Sequence, residues 1–330
     1  MLFNPSSLVF LMTLITGTMI SISSTSWLGM WMGLEMNLLS FIPLINKNKS
    51  PYETEASMKY FLIQAMASIL FLIAILSMEM CDFSMNNQSS YLICSALMMK
   101  MGAAPFHFWF PGVMEGIDWV NCFILMTWQK IAPFILISYK MINILTILVI
   151  FLSTLIGSAG GLNQNSVRKV MAYSSISHLG WMLSAMLISN SLWVIYFMVY
   201  SLMNMAVVYL FHSHSIHSIS QSYFIKHNPA LKFTMMISML SLAGLPPFLG
   251  FMPKWLVIQN LAGQGYFFML LWMVVSTLLT LYFYMRIMFA SFMFMGQEVK
   301  WNLTKNSNEL TSLTMMISML GIPITTWMIL

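Results

Sequence analysis

Glu35 stands alone in an apolar run, Trp27–Ile45 (WLGMWMGLEMNLLSFIPLI), and Lys100, Lys130 and Lys254 stand in comparable surroundings. A charge at bilayer depth costs about 2.5–3.5 kcal/mol even on lenient insertion scales, so residues of this kind mark routes for ions or protons. A buried carboxylate and a buried ammonium within reach of each other stabilise both charges. Once apart, burial favours a neutral amine and a protonated acid. Glu35, Lys100 and Lys130 could form such a relay, with Lys254 as their counterpart in the second half of the chain. His107 and His178 titrate nearest neutral pH and could bridge by water, or serve as satisfied polar groups that pack helices. Lys254 could also snorkel to the headgroups, since its depth depends on how its helix is built.

The elements that must position these residues follow from composition. The chain has 330 residues, 59% of them hydrophobic and 7% charged, with a mean hydropathy of +0.81. A soluble domain carries about 25% charged residues, so this is an integral membrane protein. A spanning helix needs about 20 mainly apolar residues, and the sequence divides into about eleven such stretches: 2–22, 27–45, 57–80, 89–110, 118–139, 142–161, 168–189, 192–211, 232–262, 266–290 and 311–329. The fold class expected is an all-α polytopic membrane protein, with no room for a soluble domain. The N-terminal MLFNPSSLVFLM has neither a basic n-region nor transit-peptide character, so Leu8 onward reads as a retained span. The 37 methionines fit flexible packing filler or a mitochondrial genome in which an extra AT-rich codon is read as Met.

Two stretches are interrupted, 89–110 by Gly102-Ala-Ala-Pro105 and 232–262 by Gly244-Leu-Pro-Pro247 and Pro253. Discontinuous helices in corresponding places of two halves point to a transport site. The segments Gly102–Pro111 and Gly244–Pro253 agree at the glycine, a proline, the phenylalanine and the final proline, 142 residues apart (102 to 244). Each lies in the fourth span of a five-span block. Five is odd, so the two blocks are expected to be inverted repeats. The division expected is 1–140, 141–292, and a loop with a C-terminal helix over 293–330.

Of the 14 Lys and Arg, three lie within spans. Of the other 11, Lys47, Lys49, Lys59, Arg168, Lys169, Lys226, Lys232, Arg286, Lys300 and Lys305 fall on the side of the N-terminus, and only Lys140 opposite. The positive-inside rule then sets the N-terminus in the matrix or cytoplasm.

Other features exclude chemistry. Cys81, Cys94 and Cys122 have no CxxC pairing, which argues against iron–sulfur ligation and a disulfide framework. No GxGxxG or P-loop pattern offers a nucleotide site. His212, His214 and His217 lack a further ligand set, so no metal is expected. Glu53, Glu55, Glu115 and Asp118 read as solvated caps, Asn163–Lys169 as a short basic inner loop, and Gly29-xxx-Gly33 as a close-packing helix face.

The segments SWLGMWMGLEMNLLSFIPLI, TEASMKYFLIQAMAS, KMGAAPFHFWFPGVMEG, MTWQKIAP, GGLNQNSVRKVMAYSSISHLGWM and LAGLPPFLGFMPKWLVIQ closely resemble the antiporter-like membrane subunits of mitochondrial respiratory complex I (NADH:ubiquinone oxidoreductase), insect forms above all. That family also resembles multisubunit cation/proton antiporters. The resemblance covers nearly the whole chain. It implies two inverted five-helix repeats, each with a broken helix, plus a C-terminal helix, and lacks the first three helices of bacterial relatives. It matches Glu35 to the glutamate of a Glu–Lys pair, Lys100 to the lysine of the first broken helix, Lys130 to a central bridging lysine and Lys254 to the lysine of the second broken helix.

The function implied is proton translocation in the mitochondrial inner membrane, with the N-terminus on the matrix side. The partners implied are neighbouring membrane-arm subunits and lipids, not nucleic acid. No cofactor is expected in this chain; NADH, FMN, iron–sulfur clusters and ubiquinone would belong to other subunits. In this reading a charge change arriving from a neighbour opens or closes the Glu35–Lys100 pair, and a proton passes through Lys130 towards Lys254. A freestanding cation/proton antiporter or a non-conducting scaffold are the alternatives from other classes.

Overall fold

The computed structural model describes residues 5–47, 49–80, 86–224, 229–293 and 308–319. Cys81, Lys226, Lys300, Lys305 and the end of the expected last span (320–329) lie outside them. Among the described residues the chain is helical, with one isolated β-bridge, Ser166 to Ser218. Among the described residues seven segments are long and apolar enough to cross a membrane: Pro5–Ser23, Trp27–Ile45, Pro51–Met80, Trp119–Tyr139, Asn143–Gly161, Asn190–Ser213 and Phe267–Phe289. The chain divides into two compact units, Met1–Val149 and Ile150–Leu330.

The first unit holds α1 (Pro5–Ser23), α2 (Trp27–Ile45), α3 (Pro51–Met80), α4 (Asn86–Met101), α5 (Trp109–Gly116), α6 (Trp119–Met126), α7 (Trp128–Tyr139) and the start of α8 (Asn143–Gly161). Serine side chains open two of these helices, α2 and α3. The Ser26 hydroxyl accepts from the Gly29 amide at 3.2 Å, and that of Ser50 from the Glu53 amide at 3.3 Å, with Pro51 at the first helical position. Helices in lipid gain little from burying apolar surface against one another, so close approach must hold them. Gly33 supplies it for α1 and α2: a Cβ there would stand 2.8 Å from the Gly17 carbonyl oxygen. Gly29 instead faces Ser24 and Ser26, so the tight contact runs through one glycine of the Gly29-xxx-Gly33 pair. Glu53 is buried, not solvated, in the first turn of α3, where the helix dipole favours an acid. Glu55 pairs with Lys59 at 2.6 Å on the outside of the same helix.

The second unit holds the rest of α8 with α9 (Val167–Ile188), α10 (Asn190–Ser213), α11 (Ile219–Phe224), α12 (Pro229–Ala243), α13 (Phe251–Gly263), α14 (Phe267–Met293) and α15 (Asn308–Met319). Its centre is α9, buried along nearly its whole length although rich in serine. Each buried serine satisfies itself one turn back. Ser174 donates to the Met171 carbonyl at 2.8 Å, Ser175 to Ala172 at 2.7 Å and Ser184 to Trp181 at 2.8 Å, so the helix can be polar in type and still closed to solvent. One end of the unit is tied together. Val167 N–H donates to His217 O and Ile219 N–H to Asn165 O, both at 3.0 Å. The Arg286 guanidinium, from α14, donates to the Leu162 carbonyl at 2.7 Å and to Asn165 Oδ1 at 3.1 Å.

Candidate functional site

Both broken helices end the same way. Gly102 has φ +73° and Gly244 φ +79°, a left-handed conformation that any Cβ would strain. Around Gly102 the amide of Ala103 reaches back to the Met98 carbonyl at 3.0 Å and that of Gly102 to Met99 at 3.1 Å, the double bond of a Schellman cap. The Gly244 amide is shared between the Leu240 and Ser241 carbonyls, both at 3.1 Å. Beyond the glycines the backbone repeats at an offset of 142 residues. Phe106 N–H to Ala103 O (2.9 Å) matches Phe248 N–H to Leu245 O (2.9 Å), and Phe110 N–H to His107 O (3.0 Å) matches Met252 N–H to Leu249 O (3.3 Å). Pro111 and Pro253 each take the third position of the following helix, α5 or α13. The lysines break the match. Lys100 precedes its glycine by two residues and Lys254 follows its own by ten; at the offset of 142 their counterparts are Leu242 and Gly112.

In the first unit Lys100 ends α4 and is buried, and its carbonyl accepts from Gln64 Nε2 at 3.2 Å. Lys130, 1% exposed, stands at the start of α7. Its Nζ lies over the Phe110 ring, 5.1 Å from the centroid. The sequence alone predicts one span over 118–139; the structure divides it at Thr127, whose hydroxyl donates to the Phe123 carbonyl at 2.7 Å. Lys130 therefore begins a new helix, and its amide bonds to the Thr127 carbonyl at 3.1 Å. Both lysines line one cavity of about 20 Å³, together with Asn37, Tyr60, Gln64 and Gln129. Glu35 is half-buried on α2, near enough to Lys100 and Tyr60 to act on both through space. It is not joined to Lys100: among the described residues the only ion pair within 4.0 Å is Lys59–Glu55. Its Oε2 is buried with no hydrogen-bond partner among them. His107, 5% exposed, sits inside the first break with Nδ1 3.2 Å from the Pro105 carbonyl. A carbonyl only accepts, so Nδ1 donates and, in the neutral ring, Nε2 is the nitrogen free to take a proton.

In the second unit Lys254 is buried on α13 and folds back over the break, its Nζ donating to the Ala243 carbonyl at 2.8 Å. The same Nζ lies 6.0 Å from the Trp181 ring centroid. One turn earlier on α9, His178 Nδ1 meets the Tyr196 hydroxyl at 2.9 Å, with the Tyr200 ring 5.1 Å away centroid to centroid. Asn37, Gln129 and Tyr196 escaped the sequence reading. For Asn37 and Gln129 the only signal was an uncharged polar side chain near a charge, Glu35 or Lys130, while Tyr196 stands in an apolar run and gave none. Cys94 and Cys122 are buried, and each Sγ donates to a backbone carbonyl, Cys94 to Lys140 and Cys122 to Met114. Among the described residues no cluster of three or more His, Cys, Asp or Glu could hold a metal.

A helical bundle with two interrupted helices and buried lysines beside each interruption defines a class: membrane proteins that move ions or protons. The chain belongs to the NADH:quinone oxidoreductase/Mrp antiporter transmembrane family, which matches residues 24–280. It is 51% identical over 327 residues to NADH-ubiquinone oxidoreductase chain 2 of Anopheles gambiae, covering 96% of this chain and 95% of that one. Its fold is similar to that of a chain in respiratory complex I from Thermus thermophilus, with a TM-score of 0.84 at 23% identity, covering 98% of this chain and 78% of that chain. It is also similar to a chain of the Mrp complex from a Dietzia species, with a TM-score of 0.76 at 19% identity over 88% of this chain and 61% of that one.

Proposed function

We propose that this chain is a proton-translocating, antiporter-like core membrane subunit of respiratory complex I in the mitochondrial inner membrane, a reading in keeping with its likeness to the Anopheles NADH-ubiquinone oxidoreductase chain 2. NADH oxidation and ubiquinone reduction take place in other subunits, which hold the FMN and iron–sulfur clusters. The observation that carries this reading is the burial of Lys100, Lys130 and Lys254, at 7%, 1% and 6% exposure, beside interrupted helices. A membrane protein that only scaffolds its neighbours has no use for three lysines buried away from solvent. Glu35, Lys100, Lys130 and Lys254 take up and release the proton, with His107 and His178 as relay members. Opening or closing of the Glu35–Lys100 approach couples these steps to a neighbouring subunit.

The finer architecture belongs to the same proposal: eleven spans, with 1–140 and 141–292 as inverted five-helix repeats followed by a C-terminal helix. The matching backbone bonds of the two breaks support it. The N-terminus faces the matrix. In support, Lys140 contacts Trp27 and Met78 at one end of the first unit, whereas Lys47, Lys49 and Lys59 adjoin the α2–α3 turn at the other. In the second unit Arg286 reaches the loop that leads into the first turn of α9, where Arg168 and Lys169 stand. Neighbouring membrane-arm subunits and lipids cover the outer faces.

The test is Lys130→Ala in the assembled complex. Assembly with electron transfer but a lowered proton-to-electron ratio is expected; an unchanged ratio would falsify the reading. The likeness to the Mrp chain favours a second reading, a freestanding cation/proton antiporter. Native separation with an NADH-dehydrogenase stain distinguishes them, since an antiporter would run apart from any large NADH-oxidising assembly.

A further inference from the structure

The carbonyls that end the two broken helices are satisfied by different kinds of donor. At the end of α4, two buried neutral side chains add to the backbone bonds of the cap. Trp109 Nε1, from the first residue of α5, donates to the Met99 carbonyl at 3.2 Å, and Gln64 Nε2, from α3, donates to the Lys100 carbonyl at 3.2 Å. At the end of α12 the side-chain donor is an ammonium, Lys254 Nζ on the Ala243 carbonyl at 2.8 Å. At the offset of 142 residues from Trp109 and Gln64 stand Phe251 and Ala206, whose side chains cannot donate. A helix C-terminus carries a partial negative charge, and its last carbonyls accept from a nearby basic side chain as readily as from a neutral one. Lys100 stands in the last turn of α4. Yet among the described residues its ammonium bonds to none of these carbonyls, and it stays open to the field of Glu35.

We propose that Gln64 and Trp109 are positioning residues for Lys100: by holding the end of α4 with neutral donors, they keep its ammonium off its own helix end and free to answer Glu35. The inference rests on the lysine relay proposed above and adds the two residues that decide how one of its members is held. The two breaks then differ in kind. At the first, the proton and the closing bonds belong to different side chains, so Lys100 can lose its proton while the end of α4 stays satisfied. At the second, one ammonium supplies both. A proton leaving Lys254 turns a charge-assisted bond into a neutral one and so weakens the link between α12 and α13.

Imaging and pumping of the assembled complex test this. In the wild type, Lys100 Nζ should lie beyond hydrogen-bond distance of the Met99 and Lys100 carbonyls. Finding it on its own helix end overturns the proposal without requiring any variant to fold. Gln64→Met keeps the length of the side chain and Trp109→Phe its aromatic face, and each removes the N–H. Each should draw the Lys100 ammonium onto the vacated acceptor and lower the population of the free side chain about tenfold. The readouts are Lys100 density moved onto the end of α4 and, in proteoliposomes, a lowered proton-to-electron ratio. A lower melting temperature with Lys100 unmoved and the ratio unchanged is the mark of a merely structural role and overturns the proposal. If both variants pump as wild type while Lys130→Ala does not, the positioning role is wrong and the lysine relay stands. If Lys130→Ala also pumps as wild type, the relay falls and the positioning role with it.

Discussion

Lys254 closes on its own break: its Nζ donates to the Ala243 carbonyl at 2.8 Å, bonding the end of α12 to the start of α13 across Gly244. The side chain uses the space where Gly244 has no Cβ, since one built there would stand 2.9 Å from Lys254 Cδ and 3.0 Å from Nζ. Glycine at this position therefore serves both the backbone turn and the lysine.

Gly244→Ala tests that double role. The left-handed backbone alone should cost about 1–2 kcal/mol, and the new methyl should push Lys254 off the Ala243 carbonyl. The expected result is a lower melting temperature together with a lowered proton-to-electron ratio. Gly263→Ala, where a Cβ meets nothing within 4 Å, should be neutral in both measurements.

Gly33→Leu should separate α1 from α2. A side chain there meets the Gly17 carbonyl and the backbone of Ser21, and overpacking of this kind costs about 1–3 kcal/mol. Because Glu35 lies two residues on, both the thermal stability and the pumping ratio of the assembled complex should fall. A wild-type melting curve would mean that the two helices can part without loss.

Arg286→Ala should release the α8–α9 loop. Hydrogen bonds to a charged group contribute about 1.5–3 kcal/mol, and here the guanidinium reaches the Leu162 carbonyl and Asn165 Oδ1 at once. Tryptic cleavage after Arg168 and Lys169 is expected to quicken severalfold. Arg286→Lys should restore only part of the protection, because an ammonium lacks the planar fork.

His214, just beyond α10, is half-buried, and that burial holds its imidazole below the ordinary value of 6.5. A depressed value means the fold prefers the neutral ring. The stability it contributes is present above pH 6.5 and is lost as pH falls through the lowered value. Amide exchange at Val167 and Ile219, corrected for its intrinsic pH dependence, should quicken below that point in the wild type and not in His214→Gln. Equal pH dependence in the two proteins would remove His214 as the cause.

The breaks at Gly102 and Gly244 were legible because glycine and proline punctuate a helix by covalent geometry alone. The break at Thr127 was not. No glycine stands there, and its signals are a threonine hydroxyl turned back on the Phe123 carbonyl and Pro133 six residues on. Glu35, Lys100, Lys130 and Lys254 declared themselves by type, since a charge in an apolar run is visible in any window. Asn37 and Gln129 did not, because whether an amide finds a partner depends on neighbours from other helices. Glu53 misled for the same reason: its place in a first turn was readable, but the packing that buries it was not.

Two of the buried lysines rest against aromatic rings, Lys130 over Phe110 and Lys254 over Trp181. A ring face attracts an ammonium through its quadrupole, by about 0.5–2 kcal/mol, yet it has no lone pair able to take the proton. Such a neighbour steadies the charge without offering it an exit. In the proposed relay the rings would act as insulation around a conductor: a proton would leave these lysines only towards oxygen or nitrogen, with dissipation sideways into the bundle closed off by chemistry rather than by distance.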